Sequence, residues 1–125
     1  MRRSRHVLRG VLAAAAIAAL APNFVSAKDC SAEVRARLTR DEVREEVRAM
    51  TFMVDVDTRE DCAKVYVDFT STERLFDGEE ITTTRRGWRK ATGSITYKVD
   101  YPFAKDSTVV DWKFKVASCV VCGTE

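Results

Sequence analysis

Histidine is almost missing. The chain's single copy is His6, inside an N-terminal segment that reads as a removable leader. The remaining chain can therefore build no Ser-His-Asp or Cys-His relay, no imidazole general base and no histidine-containing metal site. Covalent haem attachment also fails: it needs C-x-x-C-H, and Gly123 follows Cys122. A membrane-spanning run is missing too. The longest apolar stretch, Val11 to Ala21, is shorter than the roughly 20 residues a spanning helix requires.

That short run fits a secretory signal peptide. Arg2, Arg3, Arg5 and Arg9 supply a positive start, and Val25-Ser26-Ala27 a small-residue cleavage site. The Arg2-Arg3 pair raises the twin-arginine route. No serine or threonine precedes the pair and no Phe-Leu follows it closely, so the choice between Sec and Tat stays open. Ala27-Lys28-Asp29 lacks the small and apolar residues that would make Cys30 a lipoprotein cysteine. Residues 1–27 are read as leader and 28–125 as one exported domain, periplasmic or secreted.

Cleavage changes the sign of the charge. Of 21 Lys and Arg, four leave with the leader; 17 remain against 19 Asp and Glu, a net of −2. Global attraction to nucleic acid does not follow, and no stable membrane span is expected once the leader is gone.

Residues 31–50 read as helix. Val34 and Leu38 are four apart, Val43, Val47 and Met50 continue at four and three, and Thr39-Arg40-Asp41-Glu42 matches a capping box. The step of five from Leu38 to Val43 suggests a kink or two short helices. The period then changes to two. Phe52, Val54 and Val56 alternate with polar residues. So do Ala63, Val65, Val67 and Phe69, and these two runs read as a hairpin. Ser71 to Glu80 looks irregular, with a turn at Asp77-Gly78. Ile81 to Lys90, Ile95 to Tyr101 and Val110 to Val116 read as further strands. The expected fold is α+β: an N-terminal helix packed on an antiparallel meander of about five strands, with a small β-barrel or sandwich carrying one helix as the alternative.

Four cysteines, Cys30, Cys62, Cys119 and Cys122, lie in the exported part. An even number in a small exported domain points to disulfides. Meander topology would gather all four at one end of the sheet. Val120 and Val121 favour extended backbone, which would hold Cys119 and Cys122 about 10 Å apart, too far for a bond between them. The expected pairing therefore sends one of the two to Cys30 and the other to Cys62; Cys30–Cys62 with Cys119–Cys122 is the second choice. A redox C-x-x-C needs a following helix to lower its thiol pKa, for which only Gly123-Thr124-Glu125 remains. A zinc site made of four cysteines normally uses two C-x-x-C pairs, and one is present.

The most distinctive surface stretch is Thr82 to Lys90, with Arg85, Arg86, Arg89 and Lys90 around Trp88. In a strand, Arg86, Trp88 and Lys90 would share one face and Arg85 and Arg89 the other. Basic residues beside an aromatic suit an anionic polymer, a lipid headgroup or an acidic protein surface. Asp55 to Asp61 is acidic but lacks the glycine and terminal glutamate of an EF-hand loop. No metal, cofactor or catalytic residue is expected. The expected function is non-enzymatic binding of an envelope or extracellular protein or an anionic surface. The alternatives are a thiol-disulfide redox protein using Cys119 and Cys122, and a structural subunit of an envelope assembly joined through a sheet edge.

Overall fold

The computed structural model describes residues 27–124. The expected leader lies outside the described residues except for Ala27. Six strands follow in order: β1 (Ala32–Arg44), β2 (Val47–Thr58), β3 (Ala63–Arg74), β4 (Glu80–Ala91), β5 (Ser94–Ala104) and β6 (Thr108–Val121). They form two antiparallel three-stranded sheets, ordered β1-β2-β5 and β4-β3-β6. The described region is all-β, so the expected α+β class is incorrect.

The expected helix over 31–50 is β1 and the start of β2. Ala32, Val34 and Ala36 face inward at a spacing of two, while Glu33, Arg35 and Arg37 face out, and Leu38 continues the same phase at an exposed position. Every second member of that series is also four apart, which imitates a helical stripe. The five-residue step has a separate cause. A bulge between Leu38 and Arg40 leaves Thr39 without a ladder partner, and a bulge adds one residue to one strand. Thr39 caps no helix: its hydroxyl donates to the Thr51 carbonyl at 3.1 Å. The chain reverses at Glu45, whose φ is 56°.

The expected β2–β3 hairpin is also incorrect. β2 pairs with β1 and β5, and β3 with β4 and β6. The 59–62 connection crosses from one sheet to the other. It is held against the β4–β5 turn by Thr58 N–H to Gly93 O at 3.0 Å and Gly93 N–H to Glu60 O at 3.1 Å. The segment expected to be irregular, Ser71 to Glu80, is the end of β3 and a turn in which Gly78 takes φ 92°.

The sheets meet through their apolar sides. Phe52, Val54 and Val56 of β2 and Val65 and Phe69 of β3 are fully buried. Burial of each such side chain contributes about 1.5–3 kcal/mol. Phe69 stacks on Tyr101 at 4.0 Å between centroids, and Phe52 meets Trp112 edge-on at 4.7 Å.

Two disulfides close one end of the sandwich. Cys30 bonds Cys119 and Cys62 bonds Cys122, with Cα separations of 5.1 and 5.4 Å. Each member of the C-x-x-C pair goes to a distant partner, as extended backbone at Val120 and Val121 requires. The first bond joins the start of β1 to β6, where Cys30 N–H also donates to Cys119 O at 3.0 Å and Asp29 bridges Val120. This side of the sandwich is therefore tied shut, while the β4–β5 side is joined at one end by the turn at 92–93 and bridged along its length by side chains.

Candidate functional site

β4 is the outermost strand of its sheet, and its side chains alternate between two environments. Arg86, Trp88 and Lys90 point outward, and Arg85 and Arg89 point over the seam towards β5. The five site residues expected from the sequence are thus divided between two sides of one strand.

On the outer side, register aligns three strands. Lys90 lies opposite Lys64, Trp88 opposite Tyr66, and Arg86 opposite Asp68. β6 continues these rows with Val120, Ser118 and Lys115, and Lys113 follows beside Thr70. Thr84 and Thr82 pair by their hydroxyls with Thr70 and Thr72 at 3.0 and 2.9 Å. The central rows hold five cations, Lys64, Arg86, Lys90, Lys113 and Lys115, against two carboxylates, Asp68 and Asp111.

One of those carboxylates is already engaged. Asp68 accepts two bonds from Arg86 at 2.7 and 3.1 Å. The Arg86 hydrogen bond holds the Asp68 carboxyl below its ordinary range. Lys64 and Lys90 form no ion pair among the described residues. With Trp88, Cys122 and Gly123 they border a depression of about 330 Å³. Trp88 is 52% exposed, and the Lys64 ammonium lies 4.4 Å from its ring centroid.

On the seam side, Arg85 lies 5.5 Å from the Tyr101 centroid and 5.2 Å from that of Phe103. Arg89 lies 4.3 Å from the Tyr97 centroid. Arg85 also donates to the Pro102 carbonyl at 3.2 Å. Gly87 lies between the two arginines, and a slot of about 190 Å³ opens there with Val67 as a lining residue. Burial pushes the Tyr97 and Tyr101 hydroxyls above the ordinary tyrosine range, while the nearby arginines oppose that shift.

The other sheet presents a balanced outer face. Asp57 accepts from Arg35 and Ser94, and Asp55 from Thr96 at 2.6 Å. These partners occupy the carboxylates of the acidic 55–61 stretch that lie on β2. No cluster of three metal-ligating side chains occurs among the described residues.

Lys64, Tyr66, Lys113 and Lys115 were not singled out from the sequence. Their alternation with apolar residues marks them as outward. Their nearness to β4 depends on long-range pairing, which leaves no local signal.

No family model and no curated protein matches the chain. Among solved structures, the X-ray structure of Northeast Structural Genomics Consortium target SoR45 aligns over 74% of this chain and 82% of that one. Identity is 8% and the TM-score is 0.34, a likeness that identifies neither a shared family nor a shared function.

Proposed function

We propose that the chain is an exported, non-enzymatic recognition domain, periplasmic or secreted after loss of residues 1–27. It binds an anionic partner, an acidic envelope or extracellular protein or an anionic surface, on the outer side of the β4-β3-β6 sheet. The two disulfides fit the oxidising, non-cytoplasmic setting this requires.

One observation carries the proposal: Lys64 and Lys90 stand directly opposite one another beside an exposed tryptophan. Like charges placed opposite on neighbouring strands destabilise a sheet; Lys64 offsets part of this through its contact with the Trp88 ring, but neither lysine meets a carboxylate among the described residues. An anion seated between the two ammonium groups removes the repulsion, and Trp88 supplies apolar contact beside it. The remaining cations of the face extend the same field across three strands.

The test is binding of polyaspartate and of phosphatidylglycerol vesicles by the wild-type protein and the Lys64→Ser/Lys90→Ser variant. The expected result is salt-sensitive binding, weakened at least about tenfold in the variant with the melting temperature maintained. Equal binding by both proteins would remove this face from the account. Binding to polyaspartate alone selects an acidic protein, and binding to vesicles alone selects a membrane surface.

A further inference from the structure

We infer that the open seam between β4 and β5 is a second binding site, which takes an extended acidic segment of a partner protein as an added strand on β4. This goes beyond the outer-face reading, because its side chains come from the opposite side of β4.

Three observations converge. First, β4 runs for 12 residues as an outermost strand, and among the described residues no strand pairs with its outer edge. Such an edge carries unpaired N–H and C=O groups ready for another chain. Self-pairing through two β4 edges would bring Arg85, Arg86, Arg89 and Lys90 of each copy together, so charge disfavours a second copy as the occupant.

Second, Gly87 opens the slot. Its missing side chain uncovers Val67 and the Tyr97–Tyr101 wall of β5. The volume, about 190 Å³, is below the roughly 300–1,000 Å³ of small-molecule pockets and suits one inserted side chain.

Third, the slot is flanked by Arg85 and Arg89, neither of which meets a carboxylate among the described residues. Both guanidinium groups are held over aromatic rings, which limits the side-chain freedom lost on binding. Each spends one nitrogen on a backbone carbonyl, Pro102 O for Arg85 and Trp88 O for Arg89. With five donors per guanidinium, the others remain for a ligand. The two arginines are four residues apart with the gap midway. A strand laid antiparallel to β4 meets them with the pattern acidic-x-apolar-x-acidic: carboxylates to the arginines, the apolar side chain into the slot.

The probe is a synthetic heptapeptide, Thr-Glu-Thr-Val-Thr-Glu-Thr, capped at both ends and titrated by calorimetry into the full exported chain. The expected result is saturable binding, at least about tenfold weaker for the peptide with both Glu replaced by Gln. Binding should also produce new hydrogen-exchange protection of β4 amides, which N-methylation of alternate peptide amides abolishes. Gly87→Val should eliminate binding while leaving the fold intact, since a Cβ at Gly87 meets no atom within 4 Å. Arg85→Gln/Arg89→Gln supplies a second variant and should bind at least about tenfold more weakly.

The proposal is overturned by any of four results. These are no binding to the wild-type protein, equal binding by Gly87→Val, β4 amides already protected in a dimer of the free protein, and binding lost in Lys64→Ser/Lys90→Ser but not in the seam variants. The last would assign the peptide to the outer face and leave that reading standing.

Discussion

The Arg89 guanidinium lies 4.3 Å from the centroid of the Tyr97 ring, across the boundary between the two sheets. With Arg85 over Tyr101 and Phe103, it bridges the side of the sandwich that no disulfide closes. Arg89→Ala should lower unfolding stability by about 0.5–1 kcal/mol, the scale of a partly exposed cation–π contact. Denaturant titration measures this; a change within error would reduce the contact to incidental proximity.

Alkaline pH should weaken the same region. Tyr97 and Tyr101 have hydroxyls raised above their ordinary value of 10.0, chiefly by burial. A raised folded-state value gives stability that is complete below the unfolded-state value and lost as pH rises through the folded one. Melting temperature should therefore fall above about pH 10, with tyrosinate absorbance rising late for these two residues. Phenylalanine at both positions should flatten the alkaline limb, and an unaltered limb would place its origin elsewhere.

The opposite sign applies in acid. Arg48 hydrogen-bonds Asp41 through Nε at 2.7 Å and depresses its carboxyl. Arg48 also donates to Ser107 O, and the Ser107 hydroxyl donates to Glu73 at 2.6 Å. This chain of bonds joins β1, β2, β3 and the β5–β6 loop at the end without disulfides. A depressed carboxyl gives stability that is present above the ordinary aspartate value, about 3.9, and lost as pH falls through the folded value. The pair is partly exposed, with side-chain accessibilities of 18% for Arg48 and 32% for Asp41, so its contribution should not exceed about 1 kcal/mol. Asp41→Asn should reduce the slope of melting temperature against pH below about pH 4. A slope identical to wild type would show that the pair does not couple to folding.

The disulfides span sequence separations of 89 and 60 residues and interlock. Removing either by paired serine substitution should cost roughly 2–5 kcal/mol. Peptide mapping without reduction should recover Cys30 joined to Cys119 and Cys62 joined to Cys122. A Cys119–Cys122 peptide would contradict the pairing and restore a redox role for C-x-x-C.

The apolar alternation of β2, β3, β5 and β6 was legible in the sequence because each has a buried and a wet side, and a period of two expresses that directly. β1 was concealed by composition. Its alanines, arginines and glutamates favour helices, yet its pairing with β2 and its inward Val34 override that preference. The bulge at Thr39 then broke the one periodicity that would have exposed it. Strand pairing was hidden for a different reason: the four-residue 59–62 connection could equally close a hairpin or cross between sheets. The division of Arg85 and Arg89 from Arg86, Trp88 and Lys90 followed from strand alternation. The company each group keeps, Lys64 on one side and Tyr97 on the other, depended on contacts far apart in the chain.

The central claim is that the unpaired lysines opposite one another on β3 and β4 serve an anionic partner. Its most direct measurement is the salt dependence of polyaspartate and phosphatidylglycerol-vesicle binding, compared between wild type and Lys64→Ser/Lys90→Ser by solution titration. The account predicts binding that weakens steadily with added salt, and a variant that binds at least about tenfold more weakly with a shallower salt slope while remaining folded, its melting temperature close to that of wild type. Identical affinity and slope in the two proteins, or no binding to either probe, would contradict it.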